Sequence, residues 1–347
     1  MVKFYECTEP MIIDWISQEY IPHLTASFTD PQKRVSIGYL FAAFIIAIIW
    51  ITVAKKQTFR RGFVLGLKKM IGLSIIWSKS SRADYKLLLI NKALLILLSP
   101  FLVARLTVAT AIFFYLKEIF PYGSGIFADS PIWIASVTYT VFLFLFDDFS
   151  RFAVHLGLHK IPILWAFHKT HHSAETLTPF TVFRAHPVES VIFSLRGTIV
   201  QSVAVSLFIF VFGTSIELLT IYGTSILLFA FNATGANLRH SHVPISYGKI
   251  EKFFMSPAQH QLHHSSAKQH HDKNFGVALS IWDNWAKTLH FSHGEMGLSF
   301  GVKSELYQNN HSLFSLYLRP FQEVIKYPKI NSETKPREEN VVFKKII

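Results

Sequence analysis

Of the seventeen histidines in this chain, thirteen lie between positions 155 and 271. His168, His171 and His172 stand at i, i+3 and i+4, a spacing that places their rings on one face of a helix. The same spelling returns as His260, His263 and His264. Two further groups accompany them: His155 with His159, again one helical face, and His240 with His242. Neutral imidazole is a ligand for zinc, iron, copper and nickel. The convergent set is larger than one four- or six-coordinate ion uses, and two ions sharing about nine or ten nitrogens fit it. A lone buried histidine is more often structural than ligating, so His23, His293 and His311 are left out. His186 is read as a hydrogen-bond partner near the site rather than a ligand. His270 and His271 stand between a role at the site and a place in a solvated loop.

The composition says where such a centre works. Hydrophobic residues make up 50% of the chain, charged residues only 16%, and the mean hydropathy is +0.32. Soluble domains carry about 25% charged residues. The net charge of +12 fits an anionic membrane face, and no nucleic-acid motif is present. A single cysteine, Cys7, excludes internal disulfides and thiolate metal sites. An apolar site with no thiol nucleophile and no Ser–His–Asp order points to chemistry on a lipid. Attack on an unactivated C–H bond needs a redox metal with dioxygen, and zinc has no redox chemistry. Iron is preferred on that ground, although ligand type alone leaves zinc open.

The elements that must position these residues are helices. The expected fold is all-α, a polytopic transmembrane bundle of about four to six spans with a cytosolic, histidine-rich helical cap. Residues 35–54 carry no charge over twenty positions. Residues 87–116 read as one span kinked at Pro100, with a re-entrant pair as the alternative. Residues 131–147 span again and run into Asp147 and Asp148, while 191–212 and 215–231 read as a tight hairpin about Gly213 and Thr214. Three regions follow: an N-terminal membrane region over 1–130, a catalytic region over 131–302, and a cytosolic tail over 303–347. The basic stretch from Lys55 to Arg82 is assigned to the cytoplasm. The N-terminus is then outside, with no cleaved leader expected, and by parity every histidine cluster is cytoplasmic. Lys344-Lys345 near the C-terminus would serve as a retrieval signal in a eukaryote. The expected membrane is therefore the endoplasmic reticulum or a bacterial inner membrane.

Taken in order, Asp148…His155…His159, Leu164-Trp165…His168…His171-His172, His186-Pro187-Val188-Glu189, His240-Ser241-His242, His260…His263-His264, Asn274-Phe275-Gly276 and Trp282-Asp283 resemble the fatty acid hydroxylase and sterol desaturase superfamily of integral-membrane di-iron oxygenases. The resemblance covers residues 148–288. It implies two iron ions, with zinc able to replace them in purified protein, held by His155, His159, His168, His171, His172, His240, His260, His263 and His264. His171, His172, His263 and His264 are taken as the catalytic core. Asp148, Asn274 and Asp283 match positions expected to orient ligands, and His186 and His271 are grouped with them. The family usually has Asn where this chain has His242, which either adds a ligand or replaces a hydrogen-bonding group. The implied activity is hydroxylation or desaturation of a fatty acyl, sterol or related lipid with dioxygen. Without a flavin or dinucleotide fingerprint, electrons are expected from a separate donor: a cytochrome b5-like protein, a ferredoxin or a reductase. The rival readings are a zinc-dependent membrane lipid hydrolase and a non-catalytic membrane metal or haem carrier.

Overall fold

The computed structural model describes residues 8–102, 104–213, 217–221, 224–293, 297–302 and 311–333. Cys7, Thr214 and Lys344-Lys345 lie outside the described residues. The fold is helical; among the described residues one two-residue ladder pairs Thr220–Ile221 with Thr224–Ser225, antiparallel.

An N-terminal arm is helical over Thr8–Trp15 (α1) and Ile21–Thr29 (α2). Next, α3 (Ile37–Ala54) and α4 (Phe59–Ile71) form a hairpin. Its closeness comes from small residues. Ala43 and Ala47 are fully buried on α3, and a Cβ at Gly62 of α4 would lie 1.9 Å from the Thr52 hydroxyl. Only residues without bulk allow helices to approach this far.

After the single turn α5 (Leu73–Ile76), α6 (Lys79–Leu98) starts on the Ser78 hydroxyl, which accepts the Ser81 N–H at 3.0 Å. The single kinked span expected over 87–116 is not formed. α6 ends at Leu98, a 3₁₀ turn covers Ser99–Phe101, and a separate α7 (Arg105–Ile119) follows. Pro100 cannot donate to the helical ladder, and the backbone is extended at Leu102 and Ala104. Later contacts fix the new direction: the Ser202 and Ser206 hydroxyls donate to the carbonyls of Arg105 and Ala109.

The longest helix, α8 (Ile132–Lys160), has 29 residues. At about 1.5 Å per residue it is roughly 44 Å long, more than the ~30 Å hydrocarbon layer. It can therefore cross that layer and still carry Asp148, His155 and His159 past it. α9 (Pro162–His172) turns back at once, with Pro162 in the first-turn position that tolerates it. α10 (Pro187–Phe212) packs along both α8 and α7. Among the described residues three helices are long and apolar enough to cross a membrane: α3, α8 and α10.

The hairpin of two spans expected over 191–212 and 215–231 differs from the structure in its second leg. Its first leg lies in α10, but the second contains the short ladder and only an eight-residue helix, α11 (Ile226–Ala233). That helix is about 12 Å long, too short to cross. Thr220, Ile221 and Thr224 are β-branched and favour extended backbone, and the Leu219 N–H donates to Thr140 Oγ1 at 3.0 Å.

The cap adds α12 (Pro257–His263), α13 (Ile281–Ala286) and α14 (Leu313–Glu333). α14 falls in the stretch read from sequence as a tail. It packs on α9 and α6, with Leu316 buried beside Ala83 and Leu87 and the Tyr317 hydroxyl donating to Asn91 Oδ1 at 2.8 Å. The arm before α3 also departs from expectation. The charge pattern sets it across the membrane from the histidines, yet Arg34 Nη2 lies 3.1 Å from His240 Nδ1, and Asn237 Nδ2 donates to the Arg34 carbonyl at 2.8 Å. The Phe28 ring anchors the arm there, 6.0 Å from Phe180 and 6.4 Å from Phe183.

Candidate metal centre

Four segments bring the histidines together. The cap-side end of α8 supplies His155 and His159, and α9 supplies His168, His171 and His172. A 3₁₀ turn over Ala236–His240 supplies His240. α12 and the residue after it supply His260, His263 and His264. The start of α12 is held by a capping box in which the Ser256 hydroxyl accepts the Gln259 N–H at 3.1 Å and Gln259 Oε1 accepts the Ser256 N–H at 3.0 Å.

These rings form two groups. One contains His155, His159, His168, His172 and His263; the other contains His171, His240, His260 and His264. Within each group the candidate ligand nitrogens lie within 4.8 Å of one another. Neither copy of the repeated spelling belongs to one group. In α9 the i and i+4 rings enter the five-histidine group and the middle ring, His171, enters the other. In the second copy the assignment is reversed: His260 and His264 enter the four-histidine group and His263 crosses over.

The nitrogens fit a metal better than they fit each other. The Nε2 atoms of His159, His168, His172 and His263 are buried with no hydrogen-bond partner. A buried polar atom left unpaired costs about 1–3 kcal/mol, and a cation that takes the lone pairs would offset that cost. In the other group His240 Nε2 lies 2.9 Å from His260 Nε2 and 3.1 Å from His264 Nε2. Burial lowers the pKa of His168 to about 3 and that of His171 to about 4. It also holds His172, His240, His260, His263 and His264 well below the usual histidine value. All are then neutral at pH 7, which is the ligating form.

Outer partners aim several rings. His155 Nδ1 donates to the Phe275 carbonyl at 2.8 Å, His263 Nδ1 to the Lys273 carbonyl at 2.8 Å, and His171 Nδ1 to the Arg184 carbonyl at 3.3 Å. A carbonyl only accepts, so Nδ1 carries the hydrogen and Nε2 keeps its lone pair. His168 Nδ1 faces Glu189 Oε1 at 3.0 Å, with both side chains buried.

The residues expected to orient ligands act at different removes. Asn274 adopts a left-handed φ of 58°, and its amide donates to the carbonyls of Gln259 and His290. It thereby fixes the loop whose Lys273 and Phe275 carbonyls receive His263 and His155. Asp283 accepts the Phe275 and Gly276 N–H groups at 2.8 and 2.7 Å and acts through the same loop. Asp148 touches no histidine; it accepts from Ala278 N, Leu279 N and Trp282 Nε1 at 2.8–3.0 Å and ties α8 to that segment. His186 caps α10, accepting the Val188 N–H at 3.2 Å and donating to the Tyr317 carbonyl at 3.1 Å. His271 is exposed and belongs to neither group. His242 also lies outside both, its ring 6.1 Å from Phe300. Replacing His242 with asparagine is therefore expected to leave bound metal per chain unchanged, as measured by elemental analysis.

Three residues at the centre were not chosen from sequence. Glu189 stood in the quoted His-Pro-x-Glu element, and Arg239 directly precedes His240, so both had a local signal. Arg34 had none, because 206 positions separate it from its partner His240. Glu189→Gln keeps the shape and removes the charge facing His168. Losses of this kind weaken metal binding about 10–100-fold, and a competition titration with a chelator reads the change directly.

Residues 140–288 match the family model described as fatty acid hydroxylase. The chain is 26% identical to alkylglycerol monooxygenase of Homo sapiens over 178 residues, covering 50% of this chain and 36% of the relative. It is 24% identical to alkylglycerol monooxygenase of Caenorhabditis elegans over 184 residues, covering 51% and 33%. It is 26% identical to ornithine lipid hydroxylase OlsE of Rhizobium tropici over 143 residues, covering 41% and 39%. The chain thus spans 33–39% of the length of these curated relatives. No solved structure matches.

Proposed function

We propose that this chain, whose residues 140–288 match the fatty acid hydroxylase family model, is a membrane-bound, dioxygen-dependent oxidoreductase that hydroxylates or desaturates a lipid at a pair of iron ions. The observation that carries the reading is the pair of buried histidine groups, five rings and four, with most rings neutral and aimed by outer partners. Two bound iron ions would supply dioxygen activation and hydrogen removal from an unactivated C–H bond, chemistry that zinc lacks.

The chain's own residues do the rest. His155, His159, His168, His172 and His263 would hold one ion, and His171, His240, His260 and His264 would hold the other. The adjacent pairs His171-His172 and His263-His264 each send one ring to either group, so each backbone segment fixes both ions at once. His172 and His264 stack across the boundary with ring centroids 4.6 Å apart. Phe275 is fully buried with its ring 5.0 Å from His159, and the Trp165 ring lies 4.8 Å from His159. These apolar walls keep water from the nitrogens and hold down the dielectric around them.

The relatives' names specify an alkylglycerol and an ornithine lipid. We assign this chain the broader class that both share, a lipid with a polar headgroup. The chain is a multi-pass membrane protein on this reading, and exposed apolar side chains on α3 and α8, such as Phe41, Ile49 and Val141, suit acyl-chain surroundings. Electrons come from a separate protein. The test is mass spectrometry of lipids from cells with and without the protein, with His171→Ala as control. The expected result is one lipid class gaining 16 mass units or losing 2, in cells with the intact protein only. Stoichiometric zinc in the purified protein, with lipid cleavage and no dioxygen uptake, would replace this reading with hydrolysis.

A further inference from the structure

The geometry points to an electrostatic inequality between the two histidine groups: Arg34 and Arg239 make the four-histidine group the weaker metal site, the one that fills last. This rests on reading both groups as metal sites.

The five-histidine group is backed by acceptors. His155 and His263 donate to carbonyls, and His168 faces the Glu189 carboxylate, whose side chain is 7% exposed. Those partners add negative charge or negative dipole ends behind the rings, which favours a dication in front of them.

In the four-histidine group His171 donates to the Arg184 carbonyl at 3.3 Å, but two of the other rings are backed by donors. Arg239 Nη2 lies 2.9 Å from His260 Nδ1, and Arg34 Nη2 lies 3.1 Å from His240 Nδ1. A guanidinium has no acceptor atom. Each Nδ1 must therefore accept, and the neutral ring carries its hydrogen on Nε2. That nitrogen is the one turned into the group, where the His260 and His240 Nε2 atoms are 2.9 Å apart. An entering ion has to displace that hydrogen or take the ring from its arginine. It also meets two positive charges one ring-width away.

Those charges are offset only in part: the Asp148 carboxylate acts on Arg239 from a distance, and it is itself held by the N–H groups of Ala278, Leu279 and Trp282. Arg239 is 2% exposed, and its other partners are the carbonyls of Val277 at 2.7 Å and Gly276 at 3.4 Å. Among the described residues neither guanidinium forms an ion pair with a carboxylate. Arg34 and Arg239 are thus positioning residues that act on the metal through His240 and His260, and the inequality is built into the outer partners rather than the ligand count.

The experiment is an anaerobic titration of metal-free full-length protein in detergent with cobalt(II), followed by its absorption bands and by chelator competition. The expected wild-type result is two resolved equivalents, the second at least tenfold weaker. His263→Ala should remove the tighter equivalent and His240→Ala the weaker one. Arg34→Met should strengthen the second equivalent at least tenfold and leave the first unchanged, while Arg34→Lys, which keeps the charge, should behave as wild type. Arg34 lies on the N-terminal arm, so this variant avoids the carbonyl contacts that Arg239→Met would break. Two indistinguishable equivalents in the wild type, or an unmoved second equivalent in Arg34→Met, would overturn the inference. No binding at either group would instead overturn the metal-centre reading itself.

Discussion

His171→Ala is expected to lower bound metal by about half and to abolish lipid turnover, with membrane insertion intact. His171 supplies one of the four rings of its group and none of the other five. A four-ring group reduced to three holds its ion far more weakly, and an oxygenase that needs both ions stops when either is lost. The fold should survive for local reasons. The ring lies near the end of α9, and alanine is the better helix former. Its outward contact is one long hydrogen bond, 3.3 Å to the Arg184 carbonyl. Removing a buried lone pair from a crowded set also relieves part of the strain that the metal-free form carries. Elemental analysis, turnover and a thermal melt on the same preparation separate the effects. Full metal content with full activity would remove His171 from the centre.

The second large effect lies just behind the first. Arg184 and Asp84 form an ion pair at 2.9 Å with both side chains fully buried. Arg184 also donates to the carbonyls of Ser80 and Thr170 and to the Ser173 hydroxyl, and Thr181 Oγ1 donates to Asp84. One guanidinium therefore fastens α6 to the end of α9, and the Arg184 carbonyl receives His171. Burial pushes the Asp84 carboxyl above its usual pKa, and the guanidinium opposes that shift. Arg184→Met removes the opposition and strands the carboxyl in the interior. Breaking a buried pair in this way costs about 3–5 kcal/mol. The expected result is a large drop in thermal stability and in yield. The double variant Arg184→Met with Asp84→Leu should recover much of that loss, because it removes the stranded charge as well. A melting temperature unchanged in the single variant would show that the pair is not structural.

Much of the centre could be read from local spacing. A histidine at i and another at i+3 or i+4 share a helical face wherever that helix ends up. Eight of the ten candidate ligands followed from this and all eight enter the two groups; His240, found with His242 two residues away, enters as well, and His242 does not, its ring lying against Phe300. Hydropathy likewise found α3, α8 and α10, since an uninterrupted apolar run has few alternatives to a helix in lipid. It failed at Pro100 and again after Gly213, where backbone chemistry outweighs average hydropathy: a missing N–H in one case, β-branched residues in the other. The charge bias of Lys55 to Arg82, which sets the N-terminal arm apart from the histidines, did not anticipate its packing through Phe28 on Phe180 and Phe183.

Which group each ring joins is a different matter. Two identical H-x-x-H-H spellings divide in opposite ways between the groups, and no property of either spelling distinguishes them. The division depends on how α8, α9 and α12 cross one another. Those crossings are set by contacts far apart in the chain, such as Asp148 with residues 278–282 and Asn274 with Gln259. The arginines and the glutamate behind the rings belong to the same level. The chain's spelling supplies two sets of nitrogens on helical faces. Only long-range packing turns them into two buried groups with different outer partners, because electrostatic surroundings are summed over neighbours in space and not over neighbours in sequence.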